Sequence, residues 1–257
     1  NANLKLKTDK SVFAVNSIHY LGHVIDQKHI KPDPVKVKAV QNFHIPENQK
    51  QLRQFYGLCS YFRKFIKNFS KICASLTDLM KNDAKLIWGS KQQQSFEFLK
   101  KALTSKPVLV YFDPDKPIEI HTDGSILGLG AFLIQKDEHG DDHPVIYLSR
   151  TLNANEKKYC ATEIEALCIK WALEKLRPYI FNKKVRIVTD AHSLCWLMKQ
   201  RDPSARLARW ALAIQQFDFS IVYKSGSRHC APDCLSGSGS KSRQSKSRQI
   251  KIPTPKS

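Results

Sequence analysis

The run Ile118-Glu-Ile-His-Thr-Asp-Gly-Ser-Ile-Leu-Gly-Leu-Gly-Ala-Phe-Leu-Ile-Gln135 constrains the fold of this chain more than any other. It reads as two short strands joined by a tight glycine-containing turn. Asp123 comes after the alternating Ile118, Ile120 and Thr122, which places a carboxylate on a strand whose other positions look buried. A buried carboxylate without a partner is costly, so Asp123 needs lysine, arginine, backbone amides or a cation beside it. Of these only the cation is functional by itself.

The surroundings of that hairpin are strongly basic. Forty-two Lys and Arg stand against 23 Asp and Glu, a formal charge of +19. Such an excess favours an anionic partner, with nucleic acid ahead of an acidic membrane surface. At 257 residues the chain is long enough for one large or two modest domains with real cores, and two are expected. No apolar run approaches the roughly 18 residues of a membrane span, and no signal peptide opens the chain, so an intracellular location, cytoplasmic or nuclear, is expected. The seven cysteines are odd in number and mostly sit in apolar helical patterns, which suits free thiols. His229, Cys230 and Cys234 lack the paired spacing of a zinc site. The chain opens on Asn1 and reads as a piece of something longer.

Upstream of the hairpin, Ser11–Val15 and Ile18–Ile25 are strand candidates that predict a β-hairpin. Asp33 can cap a helix from Pro34 to about Phe43. Asn48–Phe69 carries the strongest helical periodicity, with Leu52, Phe55, Cys59, Phe62, Phe65 and Phe69 on one stripe. Arg53, Arg63, Lys64 and Lys67, with Lys50 and Lys71, make its other face basic, either to follow a phosphate backbone or as an ordinary solvated surface. A short helix at Thr77–Lys81 and a longer one at Ser90–Thr104 follow, with Trp88 between them. The prolines around residue 114 mark the passage to a second domain.

That domain is predicted as strands at Pro117–Thr122, Leu129–Lys136 and Val145–Ser149, a helix Asn155–Leu176 and a strand Val185–Thr189. Helices at Ser193–Lys199 and Ser204–Phe217, a strand Phe219–Tyr223 and a last helix from Pro232 complete it. Three antiparallel strands with helix-linked parallel additions give an α/β fold with a mixed sheet and flanking helices. From Gly237 the composition turns to Gly-Ser and then to six basic residues with no acidic ones, a basic tail predicted to be disordered.

Asp123, Glu165, Asp190 and Asp233 fall at strand ends and helix starts around one sheet, where ligands gather in α/β folds. Four carboxylates brought together require a cation, and hard oxygen donors select Mg²⁺ or Mn²⁺ over zinc.

The motifs Thr122-Asp-Gly-Ser125, Thr162-Glu-Ile-Glu-Ala-Leu167, Val188-Thr-Asp190 and Ala231-Pro-Asp-Cys-Leu-Ser236 resemble the ribonuclease H domain of gypsy/Ty3-type long-terminal-repeat retrotransposon polyproteins. Upstream, Tyr20-Leu-Gly-His-Val-Ile25 and Gly57-Leu-Cys-Ser-Tyr-Phe-Arg-Lys-Phe-Ile66 are similar to the palm end and thumb of the reverse transcriptase in that family. The resemblance implies four parts: the end of the palm (1–31), a mainly helical thumb and connection (32–113), a ribonuclease H-like domain with a five-stranded sheet (114–236), and the tail (237–257). It also implies that Asp123, Glu165, Asp190 and Asp233 hold two divalent ions that drive cleavage of the RNA strand of an RNA/DNA hybrid. Glu163 competes with Glu165, but only Glu165 registers without a gap on the helix of cellular ribonucleases H. His229 matches a loop position linked to proton transfer or product release. The polymerase Tyr-x-Asp-Asp turn would lie in the fingers and palm portion upstream; Gly140-Asp141-Asp142, in a polar loop, does not replace it. The alternative is a catalytically inactive nucleic-acid-binding remnant or domesticated protein.

Overall fold

The computed structural model describes residues 7, 11–81, 84–105, 107–190, 205–223 and 249–250, which form two sheets and two principal cores. In the first sheet, β1 (Ser17–Tyr20), β2 (His23–Asp26) and β3 (His29–Pro32) run as an antiparallel meander, and the later β4 (Leu109–Val110) pairs with β3. The expected pairing of Ser11–Val15 with Ile18–Ile25 is corrected: residues 11–15 carry no strand, and the hairpin lies inside the second run. Its turn is Leu21-Gly22, both at positive φ (46° and 69°). Two left-handed residues make the turn whose twist matches that of the flanking strands, and Gly22 adopts that conformation at no steric cost.

Helix α1 (Pro34–Gln41) starts where Asp33 predicts, with the Val35 N–H donating to the Asp33 carboxylate at 2.9 Å. The long helix expected over Asn48–Phe69 is broken. α2 (Gln49–Tyr61) is capped by Asn48, which accepts from the Gln51 N–H, and is followed by a 3₁₀ turn at Arg63–Phe65. Asn68 then sits in the left-handed region (φ 55°), and two short helices follow, α3 (Phe69–Ile72) and α4 (Ala74–Asp78). The short helix expected at Thr77–Lys81 therefore comes earlier. The apolar periodicity runs straight through the break, because Phe62, Phe65, Ile66 and Phe69 all remain buried in the first core. Helix α5 (Ser90–Thr104) has the predicted bounds and buries Phe96, Leu99 and Leu103. Trp88 meets the Phe96 ring edge-on at 5.7 Å and donates its indole N–H to Gln93.

The second sheet has the predicted topology. β5 (Ile118–Ser125), β6 (Gly128–Lys136) and β7 (Asp142–Arg150) are antiparallel. After α6 (Ala161–Ile180), β8 (Lys184–Thr189) lies parallel to β5; after α7 (Ala205–Ile214), β9 (Asp218–Tyr223) lies parallel to β8. A two-residue strand β10 (Gln249–Ile250) pairs antiparallel with β9 and adds a sixth member to the expected five. It is the described part of the basic tail. The start of the predicted Asn155 helix is a 3₁₀ turn at Glu156–Lys158, pinned by a two-bond Arg150–Glu156 pair (2.6 and 2.9 Å). Ile120, Leu133, Ile169, Leu173 and Leu176 close the core between the sheet and α6. The helices predicted at Ser193–Lys199 and from Pro232 lie outside the described residues.

The broken segment 63–72 seats on the β6–β7 part of this sheet. The Ser70 N–H donates to Ser149 Oγ at 3.0 Å, and the Arg63 guanidinium donates to the Ser149 carbonyl. The Lys67 ammonium stands 4.6 Å from the centre of the Phe132 ring. Gly130 leaves room for this approach, since a Cβ there would collide with the Asn68 side-chain oxygen.

Candidate functional site

Strand β5 does not stop at Thr122 but runs on to Ser125, with Asp123 paired opposite Gly130 of β6. The Asp123 side chain is 49 % exposed, so the expectation of a buried acid is corrected. Its partner is one of those the chemistry allowed: the Lys71 ammonium, delivered by α3, donates to Asp123 Oδ2 at 2.8 Å. Lys71 is itself only 17 % exposed, and it lies 52 residues away in the chain.

Two features relate the other carboxylates to Asp123. Gly124 packs directly against the first turns of α6; a Cβ there would lie 3.0 Å from the Ile164 carbonyl oxygen and 3.1 Å from Glu165 Cα. The residue after Asp123 thus touches the backbone that carries Glu165. In the parallel β5–β8 pair, His121 stands opposite Val188, and two residues further along each strand come Asp123 and Asp190. Asp190 is exposed at the carboxyl end of β8. Cys168, fully buried behind this corner, donates to the Gly130 carbonyl at 3.3 Å, and burial pushes its thiol up to about 12.

The two glutamates at the start of α6 have separate surroundings. Glu163 accepts from the Cys160 N–H with one oxygen (3.1 Å) and from the Arg206 guanidinium with the other (2.9 Å). It is therefore a helix cap and a tie to α7, and Arg206 stacks 4.2 Å over the Tyr159 ring beside it. Glu165 is half-buried two residues on, at the Gly124 contact. Asp233 and His229 lie outside the described residues, as do Cys230 and Cys234. Among the described residues no group of three or more His, Cys, Asp or Glu could hold a metal ion. Asp123, Glu165 and Asp190 nevertheless suit a hard divalent cation by donor type, and a cationic group already stands at hydrogen-bond distance from Asp123.

The basic residues singled out in the sequence bond within the protein. Arg53 donates to the Met80 carbonyl at 3.1 Å, and Arg63 bonds Ser149 and stands over Phe69. Lys64 covers the Phe65 ring, and burial lowers its pKa, while Lys67 covers Phe132. In the Gly140 loop, Asp142 pairs with Lys136 at 2.6 Å, and Asp137 accepts from the His139 and Asp141 N–H groups. These are the bonds of a closed polar turn. Sequence reasoning missed the Lys71–Asp123 pair and the close approach at Gly124; the Asp-Gly sequence inside a strand was the one available signal for the latter.

No helix among the described residues is long and apolar enough to cross a membrane. Residues 113–217 match the family described as the RNase H-like domain found in reverse transcriptase. The chain is 37% identical over 237 residues to the retrovirus-related Pol polyprotein from transposon 297 of Drosophila melanogaster, covering 92% of this chain and 22% of that protein. It is 34% identical to the corresponding polyprotein from transposon gypsy of the same organism (92% and 24%), and 35% identical to the transposon Tf2-3 polyprotein of Schizosaccharomyces pombe (92% and 18%). The chain thus spans about a quarter or less of the curated relatives it matches. Two solved structures share the fold: a foamy viral protease-reverse transcriptase in complex with RNA/DNA hybrid (TM-score 0.66, 19% identity, 90% of this chain and 32% of that one), and the same kind of protein in complex with dsDNA (0.67, 21%, 85% and 47%). These homologies show that residues 113–217 are an RNase H-like domain of the family found in reverse transcriptase, and that the chain is homologous to the Pol polyproteins of Ty3/gypsy-type long-terminal-repeat retrotransposons.

Proposed function

We propose that this domain is an endoribonuclease that cleaves the RNA strand of RNA/DNA hybrids, with Asp123, Glu165, Asp190 and Asp233 holding two divalent ions, Mg²⁺ or Mn²⁺. What supports this reading is the close approach of Gly124 to the backbone that carries Glu165, together with the β5–β8 register that sets Asp123 and Asp190 at corresponding positions. Two such ions, when bound, supply an activated water and stabilise the leaving oxygen of an in-line displacement. The strands fix the two aspartates, α6 fixes Glu165, and Glu163 is kept out of the role by its bonds to Cys160 and Arg206. His229 is assigned a part in proton transfer or product release. The charge of +19 attracts the phosphate backbone, and Arg53, Arg63, Lys64 and Lys67 add to that field from positions that also bond the protein. Hybrid is selected by its shape and by the 2′-hydroxyls of the RNA strand. The fingers and palm portion of the same polyprotein is the natural partner.

A labelled hybrid incubated with the chain and Mg²⁺ should yield RNA fragments, and Asp123→Asn should slow cleavage by about a thousandfold or more while retaining binding. The second reading, a binding module without activity, is favoured by the Lys71 ammonium on Asp123 and predicts binding without cleavage in both proteins. Equal cleavage by both would remove Asp123 from the chemistry.

A further inference from the structure

The Lys71–Asp123 pair joins two cores. Lys71 belongs to α3, at the edge of the first core, whereas Asp123 belongs to β5 of the second sheet. The ammonium is not carried by a free surface side chain. Asn68, in its left-handed conformation, turns the chain into α3; the Ser70 N–H is bonded to Ser149 Oγ; Arg63 is bonded to the Ser149 carbonyl; and Lys67 lies on Phe132. Four consecutive fixings aim Lys71 at one oxygen of one carboxylate, leaving its stem largely covered.

A divalent ion on Asp123 would compete with the ammonium already bound to Oδ2. A divalent ion bound to Asp123 Oδ2 would stand within a few ångströms of an ammonium itself 2.8 Å from the same atom, and at that range like charges repel strongly at a partly covered site. We propose that Lys71 is a built-in counter-ion of the carboxylate site. It holds Asp123 in the metal-free protein, and it withdraws when a divalent ion enters, so metal binding is coupled to how segment 63–72 seats on the β6–β7 face. This rests on the reading of Asp123 as a metal ligand and adds a positioning residue from outside the RNase H-like domain. Arg63 and Lys67 stay in place by their own contacts to Ser149 and Phe132, so the movement is confined to Lys71 and the α3 turn.

The test is Mn²⁺ binding to the whole chain, followed by electron paramagnetic resonance of the free ion. Lys71→Met keeps the apolar stem and removes the charge; it should bind Mn²⁺ about two- to fivefold more tightly than the unaltered chain, the scale of one partly exposed ion pair. Lys71→Arg keeps the charge and should bind as the unaltered chain does. In an Asp123→Asn background, Lys71→Met should make no difference. Hydrogen exchange of the unaltered chain gives an independent readout: saturation with Mg²⁺ should speed exchange over residues 67–73 as the ammonium leaves. Equal Mn²⁺ affinity of the unaltered chain and Lys71→Met overturns the proposal. So does an absence of Mn²⁺ binding in every variant. Should Lys71→Met fail to fold, unchanged exchange over 67–73 on adding Mg²⁺ overturns it instead. Tighter Mn²⁺ binding by Lys71→Met in a protein that cleaves no hybrid would refute the nuclease reading and leave the counter-ion standing.

Discussion

At Gly124 a methyl group would meet the Ile164 carbonyl oxygen at 3.0 Å, Glu165 Cα at 3.1 Å and Cys168 Cβ at 3.2 Å. These are tight contacts against a helix backbone, which yields only by moving as a unit. Gly124→Ala should therefore push α6 away from β5 by a few tenths of an ångström, at a cost of about 1–2 kcal/mol in urea unfolding. Because the displaced backbone carries Glu165, the cleavage rate should fall about tenfold while hybrid affinity stays the same. A variant that loses stability but cleaves at the unaltered rate would show that the Glu165 spacing is not set here. The place of Asp190, directly after its strand, was legible in the sequence, whereas Asp123 lies two residues inside the end of β5 and Glu165 in the second turn of α6. The identity of Asp123's partner was not legible. Chemistry narrowed it to a short set of groups, but Lys71 comes from another core, and no local pattern encodes a contact across 52 residues. The choice between Glu163 and Glu165 rested on helix register in the sequence; in the structure both oxygens of Glu163 accept hydrogen bonds.

Among the elements, those with explicit punctuation were readable. Asp33-Pro34 opens α1, Asn48 opens α2, and α5 has the predicted ends. The segment after α2 carries helical spacing without being one helix, because its aromatics fill the first core while its polar groups bond the second sheet. Asn68 makes the break, and asparagine is a weak sequence signal for the left-handed conformation that glycine signals strongly. This yields a two-variant prediction. Asn68→Gly removes the side chain but keeps the conformation accessible, and should change stability by about half a kcal/mol or less. Asn68→Ala forces a Cβ residue into the left-handed region and should cost about 1–2 kcal/mol. Chemical denaturation of the two side by side checks this; equal losses would mean that the Asn68 side chain, and not its backbone, holds the turn.

On the scale of the whole molecule, the two cores are joined by shared residues rather than by a bare linker. Leu109 of β4 is buried in the first core, while its neighbours Val110 and Phe112 pack against the second. Tyr147, on β7, packs against the first core and also lies 5.6 Å from the Phe132 ring of its own sheet. Chain length allowed one large or two modest domains, but could not tell whether two cores would behave as one body, since that depends on side chains at the seam. Cores that share apolar side chains should lose structure together, so calorimetry of the chain should show a single transition with equal calorimetric and van't Hoff enthalpies. Tyr147→Ala removes a ring that serves both cores and should cost about 2–3 kcal/mol. Because the loss falls at the seam, it should also resolve the single transition into two. Two transitions in the unaltered chain would contradict this coupling. One sharp, merely lowered transition in Tyr147→Ala would move the seam to Ser149 and β4.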